Sequence, residues 1–169
     1  MSLTEIKGDL FAVPNLDALA HGVNCVGVMG AGIAVRFRDT WPEMFEDYQE
    51  RCAEGSLRVG GFMAWQIPDH ARDRLPGRPH RKHRPCWIYN LATQPRPGAC
   101  ASISAIKNAL GNTLAHARGK GVQRIGLPQI GCGYGGLRYE DVRPLIEAAA
   151  RDVDIVVVEW TGEKGATRG

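Results

Sequence analysis

The stretch LPQIGCGYGGLRYEDV, residues 127–142, places four glycines between a short apolar run and a segment with a helical pattern. Glycine tolerates the backbone conformations of tight turns and lets main-chain amides approach a ligand closely. The unpaired amides at a helix N-terminus, together with the positive end of the helix dipole, favour a bound phosphate. This strand-to-helix junction therefore indicates an α/β fold with an anion site at the turn.

A second glycine turn lies near the amino end of the chain. MGAGIA, residues 29–34, again stands between a strand pattern and a helical pattern. Two such turns suggest that one anion is held from both sides, and a diphosphate fits that arrangement. The alternative is that both turns are tight connections that use glycine for its positive φ angles alone.

The remaining pattern alternates short apolar runs with helical periodicity. The predicted strands are residues 3–11, 17–25, 61–67, 87–93, 124–128 and 154–160, and the predicted helices are residues 32–38, 41–52, 102–121 and 139–152. The continuous apolar run at 155–158 is typical of a strand that helices cover on both faces. The pattern predicts a three-layer α/β/α fold in which a central mixed sheet lies between helical layers.

Length and composition favour one soluble domain. The 169 residues, 44% hydrophobic and 23% charged, are expected to form a single unit over 1–161 with a flexible tail at 162–169. No apolar run approaches the roughly 20 residues of a membrane span, and the N-terminus lacks a secretory pattern. The five cysteines are dispersed without a C-x-x-C pair. They predict reduced thiols in a cytoplasmic protein without a zinc site.

The glycines at 131–136 also match the G-x-G-x-x-G pattern of dinucleotide-binding folds, and Glu159 follows at roughly the spacing of a ribose-binding acid. A NAD-dependent oxidoreductase is therefore a remote alternative. That pattern belongs to an opening strand–helix–strand unit, whereas here it lies towards the carboxyl end, and it leaves the turn at 29–34 unused. A P-loop is excluded, because neither turn carries the G-K-[S/T] sequence.

Five segments together resemble the macrodomain family, the ADP-ribose-binding α/β/α modules. The matching segments are KGDLF (7–11), LAHGVNCVGVMGAGIAVRF (19–37), IYNLAT (88–93), LPQIGCGYGGL (127–137) and VVVEW (156–160). The nearest subgroup contains the terminal ADP-ribose protein glycohydrolase and the DNA ADP-ribosyl glycohydrolase antitoxins. The resemblance implies ADP-ribose as the ligand and requires neither a cofactor nor a metal.

The resemblance also implies which residues bind the ligand. Asp9 would accept a hydrogen bond from the adenine amine beside the backbone of Leu10, and Trp160 would lie near the base. The diphosphate would lie between two sets of loop residues, namely Gly30, Ala31, Gly32 and Ile33 on one side and Gly131, Cys132, Gly133, Tyr134 and Gly135 on the other. Asn24 would hydrogen-bond the distal ribose under the Tyr134 ring. The alternatives are turn-forming roles for Asp9 and Asn24 and a core position for Trp160.

The expected activity is the hydrolysis of mono-ADP-ribose from Glu or Asp side chains of modified proteins. The protein glycohydrolase of the subgroup uses a lysine and an aspartate, and we expect Gly61 and Gly135 to stand at those positions. Chemistry would then rest on a water that Asn24, Gly133 and Tyr134 position beside the substrate. Cys132 is either a nucleophile or, more simply, a small side chain packed under its loop. The alternatives are a non-catalytic reader of ADP-ribose and a hydrolase that acts on ADP-ribosylated nucleic acid.

A basic insertion interrupts the predicted strands at about residues 68–86. Residues 70–86 hold six Arg and Lys residues against one aspartate, although the whole chain carries a net charge of only +3. The simplest interpretation is a solvated, mobile insertion. The sharper one is that residues 70–84 form an arm that guides a nucleic acid or an acidic protein to the pocket, with Lys82 reaching the cleft if the arm folds over.

Overall fold

A six-stranded mixed sheet organises the molecule. The computed structural model describes residues 1–75 and 83–160. The strands are β1 (Leu3–Lys7), β2 (Ala18–Val23), β3 (Phe62–Gln66), β4 (Trp87–Ala92), β5 (Arg124–Pro128) and β6 (Asp154–Glu159). The helices are α1 (Ala34–Thr40), α2 (Pro42–Glu54), α3 (Ile103–Gly119) and α4 (Tyr139–Ala149), with short 3-10 helices at Leu10–Ala12, Asp69–Arg74 and Gly133–Gly135.

The order of strands in the sheet is β1-β6-β5-β2-β4-β3, and every neighbouring pair is parallel except β3 with β4. This arrangement confirms the predicted mixed sheet. The first strand ends at Lys7, earlier than predicted, because the Asp9 side chain caps the 3-10 helix Leu10–Ala12.

None of the described helices combines the length and the apolar character that a membrane span requires.

Apolar side chains cover both faces of the sheet. One core cluster joins α1 and α2 to the sheet through fully buried residues such as Phe37, Trp41 and Met44. The other joins α3 and α4 to the opposite face through residues such as Ile106 and Ile146. The helical layers on both sides confirm the three-layer architecture.

The direction of the strands separates the two ends of the molecule. The parallel strands β1, β2, β4, β5 and β6 all end at one edge, which is where their following loops gather. The antiparallel β3 runs the other way, and its last residue, Gln66, pairs with Trp87 at the start of β4. The basic insertion between β3 and β4 therefore leaves and rejoins the sheet at the opposite edge.

The described part of the insertion packs against the protein. The 3-10 helix Asp69–Arg74 buries Ala71, whose carbonyl accepts a hydrogen bond from Trp41 Nε1 at 3.0 Å. The arginines of this helix are also engaged, since Arg74 donates two 2.8 Å hydrogen bonds to Glu43 and Arg72 Nη2 donates to the Arg84 carbonyl at 2.7 Å. Acids and carbonyls distant in sequence thus anchor the described residues of the insertion, and the mobility of the insertion stays a prediction.

Further contacts anchor the returning end of the insertion. His83 Nε2 lies 2.5 Å from Asp17 Oδ1, and Arg84 forms an ion pair with Asp73. The predictions for Lys82 and for the flexible tail at 162–169 fall outside the described residues.

A buried histidine on β2 makes the stability of the fold depend on pH. His21 is fully buried, stacks on Phe37 with 3.8 Å between ring centroids, and lies 2.6 Å from Asn90 Oδ1 through Nε2. Its Nδ1 has no hydrogen-bond partner among the described residues. Burial lowers the pKa of His21 from 6.5 to about 4, partly offset by the Asn90 hydrogen bond, so the folded protein holds the neutral ring.

We expect the free energy of unfolding to fall by about 2 kcal/mol between pH 7 and pH 5 because of this histidine. In that range the unfolded chain binds a proton at His21 and the folded chain does not, so acidification favours unfolding. Urea unfolding at both pH values measures the difference. In the control variant His21→Gln the pH dependence should shrink by that amount, and an unchanged dependence would contradict the assignment.

Candidate functional site

The loops after the parallel strands enclose a cleft of about 400 Å³. Two loops contribute to its lining, the first glycine loop (residues 29–34) and the second glycine loop (residues 131–136). The predicted site residues that line the cleft are Asp9, Leu10, Ala31, Gly32, Ile33, Gly131, Cys132, Gly133, Tyr134, Gly135 and Trp160. The two turns that suggested a shared anion thus meet at one cavity.

Packing fixes the second glycine loop from behind. A Cβ atom on Gly131 would lie 2.5 Å from Ile106 Cδ1, and one on Gly135 would lie 2.9 Å from Ala101 Cβ. Gly133 differs, because its φ is +67° and nothing lies within 4 Å of the position that a Cβ would take. The loop therefore presents bare backbone at Gly133, and Gly135 has no room for the aspartate that the resemblance implied.

Asn24 and Gly30 do not line the cleft. The Asn24 side chain instead organises its own loop, since Oδ1 accepts from Val26 N at 3.1 Å and from Tyr48 Oη at 2.9 Å, and Nδ2 donates to the Val28 carbonyl at 2.8 Å. The geometry supports the turn-forming role for Asn24 rather than the predicted contact with the distal ribose.

One end of the cleft holds a charged pair, of which the sequence predicted Asp9 but not Arg36. Asp9 Oδ1 accepts a hydrogen bond from Phe11 N at 3.0 Å and forms an ion pair with Arg36 Nη1. The Arg36 guanidinium lies over the Phe11 ring, with 4.3 Å between Cζ and the ring centroid. Arg36 lines the cleft and was missed. Its spacing of three residues from Ile33, which places both on one face of the first helical turn, is the signal that could have found it.

The other end of the cleft contains Gln94, Cys132 and Tyr134. Tyr134 stands at the mouth with 71% of its surface exposed. Gln94 Nε2 donates to the carbonyls of Arg96 and Gly98 at 2.6 Å and 2.9 Å. Its Oε1 faces the second glycine loop, 3.4 Å from the Cβ position of Gly135. Sequence reasoning missed Gln94, although its place just after β4 put it at the edge where the parallel strands end.

The cleft has few ionisable side chains. Burial, together with the charge of Asp141, raises the pKa of the Cys132 thiol, so Cys132 is held protonated and suits the packing role rather than the nucleophilic one. Among the lining residues that the structure describes, Asp9 is the one carboxylate, and no lysine is present. Gly61, where a lysine was expected in relatives, lies at the entry to β3 and does not line the cleft.

Comparison with known proteins places the chain among proteins of one fold. Residues 81–146 match the model of the Macro domain. The DNA ADP-ribosyl glycohydrolase of Mycobacterium tuberculosis is 31% identical over 170 residues, which are 99% of this chain and 45% of that protein. The human ADP-ribose glycohydrolase OARD1 is 31% identical over 159 residues, 94% of this chain and 91% of that protein.

A solved structure agrees with these similarities. The macrodomain of Mycobacterium tuberculosis DarG superposes with a TM-score of 0.78 at 29% sequence identity, covering 93% of this chain and 97% of that one. The chain spans less than half the length of the mycobacterial glycohydrolase and nearly the whole of the human relative.

Proposed function

We propose that this chain, which belongs to the macrodomain family, binds ADP-ribose and hydrolyses mono-ADP-ribose from acidic side chains of modified proteins. The observation that carries the proposal is the meeting of the two glycine loops at one cleft. Main-chain amides of both loops can then donate to a diphosphate, which needs several donors and no balancing metal. The names of the mycobacterial and human relatives, both glycohydrolases, support the hydrolytic step.

The orientation of the ligand follows from the two ends of the cleft. The adenine lies at the Asp9 end, where the carboxylate accepts from the exocyclic amine beside the Leu10 backbone and near Trp160. The diphosphate lies between the loops. The distal ribose then lies at the Gln94 end, under Tyr134, with its anomeric carbon towards the mouth where a modified side chain enters.

Hydrolysis in this cleft uses a positioned water. The water oxygen bonds to the anomeric carbon, the ester bond to the Glu or Asp carboxylate breaks, and the carboxylate leaves with the bonding pair. The proton of the water passes to a substrate phosphate oxygen and then to solvent. Positioning supplies much of the rate in such a reaction, because no side-chain nucleophile among the described lining residues takes part. Gly133 and Tyr134 orient the ribose, and Gln94 Oε1 is an acceptor for the water.

Replacement of Gln94 by leucine tests this role. We expect kcat to fall about 10- to 100-fold while the Kd for ADP-ribose changes less than about threefold, because the amide acts on the water and not on the diphosphate. Single-turnover release of ADP-ribose and calorimetry with free ADP-ribose measure the two quantities. A parallel loss of binding and turnover would instead assign Gln94 to ligand binding.

A two-substrate assay tests the activity itself. A peptide carrying ADP-ribose on Glu and an ADP-ribosylated oligonucleotide are each offered, and release of ADP-ribose is followed. Release from the peptide supports the proposal, whereas release from the oligonucleotide alone would assign the nucleic-acid substrate that the name of the mycobacterial relative favours. Tight binding of ADP-ribose without release from either substrate would identify the protein as a non-catalytic reader of ADP-ribose. Binding of NAD at least as tight as that of ADP-ribose would support the remaining alternative, an oxidoreductase.

The basic residues at 70–84 are not part of this proposal. Their described ends, Leu75 and His83, belong to the edge of the sheet opposite the cleft. None of the described residues of this segment lines the cleft, so they give no support to an arm that guides nucleic acid there.

A further inference from the structure

Arg36 is a mostly buried cation with hydrogen-bonding capacity left over. Its side chain is only 12% exposed, yet it lines the cleft. Within the described residues Nη1 pairs with Asp9 Oδ1, while Nε and Nη2 donate to no protein acceptor. A guanidinium carries five N–H donors, and those of Arg36 that have no protein acceptor are open to the cleft rather than sealed in the core. The arrangement therefore points to acceptors that a ligand brings.

Two contacts fix where those donors stand. The Phe11 ring supports one face of the guanidinium, and the Asp9 carboxylate holds its edge. Phe11 is itself 1% exposed and belongs to the core, so the stack is rigid. Asp9 Oδ1 is already shared between Phe11 N and Arg36, which leaves Oδ2 as the acceptor for a ligand. A fixed donor and a free acceptor thus lie side by side at one end of the cleft.

We propose that Arg36 is a specificity-determining residue that donates a hydrogen bond to a ring nitrogen of adenine, next to the amine that Asp9 accepts from. The proposal rests on the proposed function, because it takes ADP-ribose as the ligand and Asp9 as the residue that binds its amine. Together the two side chains form a donor–acceptor pair that reads one edge of the base.

The chemistry of adenine fits this pair. Its exocyclic amine is a donor, and each neighbouring ring nitrogen, N1 or N7, is an acceptor. The Asp9 carboxylate and the Arg36 guanidinium are within hydrogen-bonding distance of each other. An acceptor and a donor this close together can bind the amine and the neighbouring ring nitrogen of one adenine at the same time. Arginine suits this role because its fork of donors is planar and permanently charged, whereas a lysine would be a mobile point charge.

A phosphate contact is the competing role for the same guanidinium. The ion pair with Asp9 holds Arg36 at the base end, and the glycine loops already present main-chain donors to the diphosphate. A base contact and a phosphate contact predict different losses when single ligand atoms are removed, so the experiment can separate them.

The test combines analogues of the ligand with variants of the protein. Binding of ADP-ribose, its 1-deaza analogue and its 7-deaza analogue is measured by calorimetry for the wild type and for Arg36→Leu, which keeps apolar contact with Phe11. We expect one of the two analogues to bind the wild type about tenfold more weakly than ADP-ribose. In Arg36→Leu we expect ADP-ribose to bind about tenfold more weakly and that analogue to lose nothing further, because the same hydrogen bond is already absent.

Two variants serve as controls. Arg138→Leu removes the same charge from an arginine that is 72% exposed and does not line the cleft, and it should leave all three affinities unchanged. Arg36→Lys keeps the charge but not the fork and should behave like Arg36→Leu. The ratio of two affinities within one variant does not depend on how much of that variant is folded, and thermal melting checks the fold.

The outcomes separate the two proposals. Wild-type protein that binds neither ADP-ribose nor its analogues would overturn the proposed function and, with it, the role of Arg36. Wild-type binding of ADP-ribose with equal affinities for both analogues, or an unchanged ratio in Arg36→Leu, would overturn the role of Arg36 alone. So would an Arg36→Leu variant that loses affinity for AMP and keeps it for adenosine, which is the signature of a phosphate contact.

Discussion

Replacing Asp9 by alanine is expected to weaken the binding of ADP-ribose about 100-fold. The variant loses the charged acceptor for the adenine amine, and it leaves the Arg36 cation, only 12% exposed, without its ion-pair partner. An unpaired buried charge costs more than the lost contact alone, so the two effects act in the same direction. Calorimetry with free ADP-ribose measures the change.

The conservative variant Asp9→Asn separates these effects. It keeps an oxygen that can accept from Phe11 N, as Asp9 Oδ1 does at 3.0 Å, but it removes the charge that faces Arg36. We expect a loss of about tenfold, between the wild type and alanine. Since Asp9 caps a short 3-10 helix, alanine should also cost about 1 kcal/mol of stability, which thermal melting records. Unchanged affinity in Asp9→Ala would contradict the proposed position of the base.

Substituting Gly133 by valine should abolish binding, with a loss of at least about 100-fold. The Cβ position of Gly133 has no atom within 4 Å, so the new isopropyl group enters the space between the two glycine loops that the diphosphate needs. The φ of +67° disfavours a β-branched residue, and we expect about 1–2 kcal/mol of lost stability. Calorimetry and urea unfolding report the two consequences independently.

Gly55 provides a matched control for this substitution. It caps α2 with a φ of +73°, nothing lies within 4 Å of its Cβ position, and it does not line the cleft. Gly55→Val should therefore lose a similar amount of stability while binding ADP-ribose normally. Equal binding losses in both variants would mean that strain, not occupation of the cleft, explains the effect at Gly133.

The fold and the loops could be predicted because their signals are local. The periodicity of the strands and helices, and the glycines at the junctions near residues 32 and 131, can be recognised from residues that are neighbours in sequence. Both loops therefore appeared at the predicted places, and the sheet came out mixed as expected. The position of the loops relative to each other follows from parallel strands, whose carboxyl ends share one edge.

The roles of individual polar residues were less predictable, because distant partners decide them. Asn24 is satisfied by Tyr48, which lies 24 positions further along the chain, and so the side chain stays in its own loop. The spacing of Arg36 from Ile33 could have placed it beside the cleft, but its pairing with Asp9, 27 positions earlier, and its contact with the Phe11 ring arise only in the folded chain. No pattern in neighbouring residues reports such pairings.

The charge run at residues 70–84 illustrates the same point for electrostatics. Its density of arginines favoured a solvated segment, but Glu43 neutralises Arg74, and Asp17 lies 2.5 Å from His83. Each acid precedes its partner by more than 30 residues in sequence. Only the folded chain brings these partners together.

The single antiparallel strand, β3, also has a practical consequence. Because it runs against its neighbour, the chain leaves β3 and enters β4 at the edge of the sheet opposite the cleft. A surface or a fluorescent dye coupled at that edge, where Gln66 pairs with Trp87, would leave the loops around the cleft untouched. An immobilised protein attached there keeps its own cleft unobstructed.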